Sequence, residues 1–325
     1  MTEPLLRRLA ARGERIYVGA LPWVAPVYRA MPQVHAVIEF PFAHGGLQLR
    51  ERRKLARQLT GRFSTAYVCP NSFKSSLLPF LAGIPKRVGY LGEARVGLLT
   101  HRLKNPSKGL RPPMVAFYSA LSGEPGFDSD RPRLHLEPPL VEAVLRQYGQ
   151  SQGDYYVFVP GAEYGPAKRW PAAHFARLAQ QLEAPVLLLG SAKEAGLGKE
   201  IAALAQSAAV INLAGSTGLT EALALIAGAR QVVTNDTGLM HVAAALDVPQ
   251  VAIFGSSSPL HTPPLSDRAQ VLWLKNEASY QPPLDCSPCY ERVCPLGHLR
   301  CLNDLEASQV LPLLDKSAAG KTASP

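Results

Sequence analysis

The fold of this chain is decided by the stretch Thr234-Asn235-Asp236-Thr237-Gly238-Leu239-Met240-His241, which lies between an apolar strand and an apolar helix. Residues 231–233 predict the strand, and residues 239–246 predict the helix. In open α/β sheets, ligands bind at such turns, beyond the carboxyl ends of the strands. The helix N-terminus suits a phosphate, and Gly238 lets a ligand approach the backbone closely. The alternative is that Asp236 only caps the helix and that His241 is an ordinary helix residue.

Four loops of the second half follow predicted strands and carry polar side chains. They span residues 161–168, 190–194, 215–217 and 235–241. Strands that alternate with helices form a parallel sheet, so all four loops should emerge at one edge. Lys168 can place a positive charge on a diphosphate there, unless it is an ordinary surface lysine. The glycine fingerprints of dinucleotide-binding proteins and of P-loop ATPases are both absent from the sequence.

The first half of the chain also alternates strands and helices, which predicts a second parallel α/β sheet. Residues 124–139 are rich in proline, glycine and aspartate and are typical of a linker. The predicted division is a first α/β domain over residues 1–139, a second over 140–315 and a disordered tail over 316–325.

Smaller predictions concern the ends of individual elements. A helix over residues 2–11 opens the chain, and Thr2 can cap it. Residues 272–274 predict the last strand. Asn303 and Glu306 have the spacing of a capping box before the last helix.

The charge of the chain predicts an anionic partner. The formal net charge is +9 and the pI is about 9.4, which suits nucleic acid, a phospholipid surface or a phosphorylated substrate. No stretch approaches the ~20 apolar residues of a membrane span, and the N-terminus has no signal-peptide pattern. These features predict a cytoplasmic protein.

A predicted helix over residues 47–59 has a strongly basic face. Its basic residues are Arg50, Arg52, Arg53, Lys54 and Arg57. This face either contacts lipid phosphates or is simply solvated.

Four of the five cysteines lie close together, in the pattern Cys286-x2-Cys289-x4-Cys294-x6-Cys301. In a cytoplasmic protein such a cluster favours a metal site over disulfide bonds, and zinc is the candidate metal. His298 could replace one thiolate. The alternative is a loop with reduced cysteines. The fifth, Cys69, is predicted to be a buried core residue.

Several stretches together resemble one enzyme family, the ADP-heptose:lipopolysaccharide heptosyltransferases of glycosyltransferase family 9, and most of all its heptosyltransferase II branch. In the second half the similar stretches are P-G-A-E-Y-G-P-A-K-R-W-P (160–171), T-N-D-T-G-L-M-H-V-A-A-A-L (234–246) and F-G-S-S-S-P-L-H-T-P-P-L (254–265). In the first half they are P-N-S-F-K-S (70–75), G-I-P (83–85) and G-Y-x-G-E-x-R (89–95). The resemblance extends to about residue 314.

The resemblance implies a GT-B fold, in which two Rossmann-like domains with mainly parallel sheets face each other. It implies an inverting, metal-independent transfer of L-glycero-D-manno-heptose from ADP-heptose. The acceptor would be the first heptose of the lipopolysaccharide inner core, at the inner face of the cytoplasmic membrane, and no nucleic acid is involved. A metal in the cysteine cluster would then be structural.

The resemblance also implies a donor site, in which Lys168 would stabilise the departing ADP phosphates. The substrate-binding residues that it implies are Glu163, Tyr164, Lys168, Glu194, Thr217, Asp236, Thr237, Gly238 and His241.

One part of the family pattern has no counterpart in the sequence. The pattern begins with a strand and a Gly-Asp pair whose aspartate resembles a general base, whereas here Met1 directly precedes the first helix. No residue inherits that role, and we expect a longer reading frame to supply the strand and the pair. The chain as written should bind ADP-heptose but transfer heptose poorly, and its first half should be unstable.

Two other functions fit the second half. One is a nucleotide-sugar-binding protein with little or no activity, because the N-terminal catalytic segment is absent. The other is a GT-B sugar epimerase, against which the motifs of the first half argue.

Overall fold

The computed structural model describes residues 1–42, 46–106, 111–124 and 131–316, and the chain forms two compact units. The first unit spans Met1–Asp130 and the second Arg131–Pro325. This division falls within the stretch whose composition predicts the linker. The predicted disordered tail lies outside the described residues, apart from Lys316. None of the helices in the described ranges is long and apolar enough to cross a membrane.

The first unit is built from parallel strands with helices between them. Its strands are β1 (Ile16–Ala20), β2 (Val34–Glu39), β3 (Thr65–Val68), β4 (Lys86–Tyr90) and β5 (His101–Leu103). Its helices are α1 (Glu3–Ala11), α2 (Ala25–Arg29), α3 (Leu49–Leu59), α4 (Phe73–Leu81) and α5 (Met114–Ser119). The parallel arrangement is as predicted, but the strands form two sheets, β1-β2 and β3-β4-β5. Within the described residues, β1 and β3 are each paired on one side only. The expected further central strand stays a prediction.

Over its described residues, 131–316, the second unit contains a single parallel sheet of six strands. The strands are β6 (Tyr156–Val159), β7 (Val186–Leu188), β8 (Val210–Asn212), β9 (Gln231–Asn235), β10 (Gln250–Ile253) and β11 (Ala269–Leu272). The helices are α6 (Pro138–Gln147), α7 (Ala172–Ala179), α8 (Ala195–Ala205), α9 (Leu219–Gly228), α10 (Gly238–Ala245), α11 (Arg300–Asn303) and α12 (Ala307–Lys316).

Strand β6 lies at the centre of this sheet and is apolar throughout. All four residues of β6, Tyr-Val-Phe-Val, are buried, as expected for a parallel strand with no solvent-facing side. Phe158 packs in the core with Phe175 and Trp170, all of them fully buried or nearly so. This core fixes where the ends of the strands lie, and therefore where the loops emerge.

The strand order, β11-β10-β9-β6-β7-β8, creates a switch point between β6 and β9. From β6 the chain proceeds outward through β7 and β8, and it then returns to place β9 on the other side of β6. Ligands of open α/β sheets bind at such a point, beyond the carboxyl ends of the strands. The loops after β6 and β9 are those that carry Lys168 and Asp236.

Some local predictions are wrong. Thr2 precedes α1, but its side chain makes no capping hydrogen bond. The last strand is β11, and Leu274–Asn276 forms a 3-10 turn after it. Asn303 ends α11 and donates a hydrogen bond to the carbonyl of His298 at 3.0 Å, so it does not cap α12. Helix α2 and strand β5 are too short for their periodicity to predict them.

Candidate active site

Lys168 and Asp236 form an ion pair at the switch point. Lys168 ends a 3-10 turn, Pro166–Lys168, in the loop after β6, and Asp236 directly follows β9. The distance from Lys168 Nζ to Asp236 Oδ2 is 2.6 Å, and the two side chains are 19% and 6% exposed. The hydroxyl of Thr262 donates to the other carboxylate oxygen of Asp236 at 3.3 Å. A buried carboxylate therefore holds the lysine at the sheet edge where a ligand is expected.

Asp236 does not occupy the N-cap position of α10. The residue at that position is Thr237, and its side chain makes no capping hydrogen bond. The helix begins at Gly238, where an added Cβ would meet no atom within 4 Å. His241 follows within the first turn of α10 and is half-buried. The unpaired N–H groups of this turn can therefore bind an anion.

Buried hydroxyl groups without partners mark the same edge. In the described structure, Thr237 Oγ1, Ser256 Oγ and Ser257 Oγ are buried and have no hydrogen-bond partner. Ser256 and Ser257 follow β10, the neighbour of β9. Buried polar groups are nearly always hydrogen-bonded, so these hydroxyls are available to a bound water molecule or to polar groups of a ligand. The two serines were not predicted as site residues.

Asn235 holds the Lys168 loop to the end of β9, a role that no sequence pattern indicates. Its side-chain amide donates to the carbonyl of Pro160 at 2.7 Å. Its side-chain oxygen accepts from the backbone N–H of Trp170 at 3.1 Å. One fully buried side chain thus fixes both ends of the loop that contains Lys168.

The loop after β7 lies beside the loop after β6, and the loop after β8 lies beside the loop after β7, as predicted from the parallel order. Glu194 caps its own turn by accepting from the backbone N–H and the hydroxyl of Ser191, at 2.7 and 3.0 Å. A Cβ added to Gly161 would lie 1.8 Å from the Glu194 carboxylate, so this side chain also contacts the β6 loop. Thr217 is half-buried in the next loop, and Glu163 is exposed.

Two cations lie near the ring of Tyr164. Lys168 Nζ is 5.6 Å from the ring centroid, and the guanidinium of Arg292 is 5.4 Å from it. The hydroxyl of Tyr164 donates to the carbonyl of Tyr290 at 3.1 Å. The ring is 47% exposed, so it can stack against a ligand or cover one.

The four clustered cysteines line one small cavity of about 10 Å³ together with His298. All four are free thiols. Burial, and then the three neighbouring thiols, raise the pKa of Cys301 to about 12. No group of three or more His, Cys, Asp or Glu side chains within the described residues is already arranged to hold a metal ion. The cysteines thus converge without forming a finished ligand set.

Cys69 directly follows β3, and its exposed surface area makes it a half-buried residue. Burial raises the pKa of its thiol to about 12, so it remains protonated. This environment suits an unreactive thiol.

The basic face of α3 differs from the prediction at one residue. Arg52 is only 6% exposed, with its guanidinium 4.2 Å from the ring centroid of Phe42 and its Nε donating to the carbonyl of Leu47 at 2.7 Å. Arg52 is thus part of the packing of this unit, which charge counting on a helix cannot reveal. The exposed basic residues are Arg50, Arg53, Lys54 and Arg57.

Comparison with known proteins identifies the family of the chain. Residues 52–299 match the model of glycosyltransferase family 9 (heptosyltransferase). The chain is 45% identical to lipopolysaccharide heptosyltransferase 2 of Escherichia coli K12 over 293 residues, which is 84% of each protein. It is 42% identical to lipooligosaccharide heptosyltransferase 2 of Haemophilus influenzae over 277 residues, 80% of each.

The solved structures agree. The structure of E. coli ADP-heptose lps heptosyltransferase II superimposes with a TM-score of 0.83 at 39% identity, covering 99% of this chain and 95% of that one. E. coli heptosyltransferase WaaC with ADP, 19% identical with a TM-score of 0.68, shares the fold and covers 98% of this chain and 95% of that one. These relatives have the GT-B fold, as predicted. The chain therefore belongs to glycosyltransferase family 9, the heptosyltransferases.

Proposed function

We propose that this protein transfers L-glycero-D-manno-heptose from ADP-heptose to the first heptose of the lipopolysaccharide inner core. The observation that carries the proposal is the pair of Lys168 and Asp236 at the switch point, beside the N-terminus of α10. Family membership gives the reaction class. The identity to lipopolysaccharide heptosyltransferase 2 supports the choice of donor and acceptor.

The diphosphate of the donor would bind between Lys168 and the first turn of α10. During transfer, the acceptor hydroxyl oxygen bonds to the anomeric carbon of heptose from the face opposite ADP. The hydroxyl proton passes to water. The bond from that carbon to the phosphate oxygen breaks, and ADP leaves with an additional negative charge. On this proposal, Lys168 and the N–H groups from Gly238 onward would stabilise this developing charge, and preorganised donors of this kind lower the barrier.

Asp236 would act on the donor in two ways. It keeps Lys168 in place before the donor arrives, since their atoms are 2.6 Å apart. As a buried acceptor it can also receive hydrogen bonds from donor hydroxyl groups. The unpartnered hydroxyls of Thr237, Ser256 and Ser257 would supply further hydrogen bonds to the donor. We include Glu163, Tyr164, Glu194, Thr217 and His241 in the proposed donor site on the family pattern.

The acceptor is a lipid, so we propose that the protein works at the inner face of the cytoplasmic membrane as a peripheral protein. The exposed basic residues of α3 support this, because basic side chains near a lipid surface attract anionic headgroups by about 1 kcal/mol each. The positive charge of the chain would thus serve a lipid surface and a diphosphate, and not nucleic acid.

We propose that no metal ion takes part in the transfer, and that the cysteine cluster holds a structural zinc ion. Lys168 and the α10 N-terminus can supply the positive charge that a catalytic cation would otherwise provide. Zinc bound by four thiolates has no open position for a substrate and is therefore structural.

The proposal is tested by incubating the purified chain with ADP-heptose and an inner-core acceptor that carries one heptose. We expect the acceptor to gain one heptose, detected by mass spectrometry, with release of one ADP. An acceptor without heptose is the matched control and should not react. Binding of ADP-heptose without product would favour the nucleotide-sugar-binding alternative and contradict the proposal.

A further inference from the structure

The cysteine loop, residues 286–301, contacts the site but has little regular structure of its own. Residues 277–299 are all described, and none of them lies in a helix or a strand. Their backbone groups therefore lack the ladders that fix the rest of the unit. A segment of this kind keeps one conformation only when other contacts cross-link it.

The cavity inside this loop has the size and the chemistry of an ion site. Its volume of about 10 Å³ holds roughly one water-sized sphere and no substrate. Four thiols of one short segment surround it, and thiolates bind zinc at about 2.3 Å in tetrahedral sites. The backbone N–H of Leu299 donates to Cys294 Sγ at 3.4 Å. Hydrogen bonds of this kind orient metal ligands.

His298 also lines the cavity, but it is not the fourth ligand. Its Nδ1 accepts a hydrogen bond from the backbone N–H of Arg300 at 3.0 Å. A neutral imidazole has one acceptor nitrogen, so Nε2 carries the proton and offers no lone pair to an ion. The ligand set that remains is the four cysteines.

A short part of the loop, residues 290–292, holds the turn that carries Lys168; we call it the strap. The strap lies between Cys289 and Cys294. The carbonyl of Arg292 accepts from the backbone N–H of Ala167 at 3.1 Å, one residue before Lys168. The carbonyl of Tyr290 accepts from the hydroxyl of Tyr164 at 3.1 Å. Two backbone carbonyls of the strap thus hold the Lys168 turn, one through the backbone of Ala167 and the other through the side chain of Tyr164.

The fit between strap and turn is tight. A Cβ added to Gly165 would lie 2.3 Å from the carbonyl oxygen of Arg292. Tyr290 has a φ of 57°, in the left-handed region that residues other than glycine rarely adopt. Such a conformation persists only where the surroundings impose it. The backbone N–H of Tyr290 also donates to the carbonyl of Ser256 at 2.7 Å, which connects the strap to a second loop of the site.

We propose that the four cysteines bind one zinc ion as thiolates, and that this ion keeps the strap against the Lys168 turn and so sets the affinity for the donor. The inference rests on the proposed donor site at Lys168. On binding, the thiols release their protons to solvent, and the ion replaces the missing regular structure as a cross-link. Zinc acts here as a positioning element and does not touch the substrate.

The test uses the full chain and ADP as the probe. Elemental analysis should find one zinc ion per chain, and a chelator should remove it. ADP binding, measured by calorimetry, should become about tenfold weaker in the metal-free protein. This is the lower end of the loss of affinity or activity that is typical when contacts supporting a site are removed. Added Zn²⁺ should restore the affinity. Cys294→Ser should bind no zinc, and added Zn²⁺ should not restore its ADP affinity. Cys69→Ser, which lies outside the loop, is the matched control and should bind zinc and respond to it as the unsubstituted chain does.

A double-perturbation experiment separates positioning from general destabilisation. In Lys168→Met, removal of zinc should change ADP affinity by less than twofold, because the ion acts through the lysine turn. The inference is overturned if the protein binds no zinc. It is also overturned if the protein binds zinc but its ADP affinity is the same with and without the ion. If metal-loaded Lys168→Met instead binds ADP as tightly as the unsubstituted chain, the proposed donor site itself is wrong. If ADP affinity depends on zinc as expected but the protein transfers no heptose, only the proposed function is refuted.

Discussion

Replacing Lys168 should damage both stability and activity, and the structure allows the two effects to be separated. Lys168→Met leaves the carboxylate of Asp236 buried, with the Thr262 hydroxyl at 3.3 Å as its remaining side-chain partner. Breaking a buried ion pair typically destabilises a protein by about 3–5 kcal/mol. Because the lysine side chain is 19% exposed, water can reach the site. We therefore expect a loss of about 2–3 kcal/mol in the free energy of unfolding.

A second substitution should restore stability without restoring activity. The double variant Lys168→Met/Asp236→Asn has no buried charge at this site, so its unfolding free energy should be within about 1 kcal/mol of the unsubstituted chain. Its turnover should still be lower by about 10²-fold, because the positive charge that stabilises the departing diphosphate is missing. Lys199→Met, at an exposed lysine of α8, is the matched control and should change neither quantity.

Urea unfolding and initial rates of heptose transfer are the two measurements. If the double variant regains normal turnover, Lys168 has only a structural role, and the mechanism proposed for it is wrong. If Lys168→Met alone unfolds with a normal free energy, the ion pair of Lys168 and Asp236 does not stabilise the protein by the expected amount.

Other predictions address the strap, the basic helix and the first unit. Gly165→Ala should displace Arg292 and weaken ADP binding about tenfold, or ~1.4 kcal/mol, whereas Gly196→Ala, with no atom within 4 Å of the added Cβ, should bind ADP normally. Charge reversal at three exposed basic residues of α3 should weaken binding to anionic vesicles by about 10²-fold at low salt and by less at high salt; unchanged sedimentation with vesicles would show that this face is only solvated. Those residues are Arg53, Lys54 and Arg57. Amide hydrogens of β1 and β3, each paired on one side in the described structure, should exchange faster than those of β6 and β9; equal protection would show a well-formed first unit.

The sequence predicts the position of the site better than its internal contacts. Alternating strands and helices imply a parallel sheet, and a parallel sheet brings the loops after its strands to one edge. Lys168 and Asp236 could therefore be expected near each other. Their direct pairing depends on β6 and β9 being neighbours, which the periodicity of the sequence does not specify.

Side chains that act through tertiary contacts were the hardest to predict. Asn235 resembles any polar residue at the end of a strand, yet it fixes both ends of the Lys168 loop. Arg52 follows the basic pattern of α3, yet it packs on Phe42. The spacing of the cysteines indicates a metal site, but their contact with the lysine turn depends on the course of a long irregular segment. The roles of Asn235 and of the cysteine loop depend on residues distant in sequence.

The proposed donor site is tested most directly by a crystal structure of the chain with ADP bound. We expect the diphosphate at the N-terminus of α10, with Lys168 Nζ about 2.7–2.9 Å from a phosphate oxygen. The hydroxyls of Thr237, Ser256 or Ser257 should gain partners from the bound nucleotide. ADP bound away from this edge of the sheet, with Lys168 still paired only with Asp236, would show that the donor site lies elsewhere.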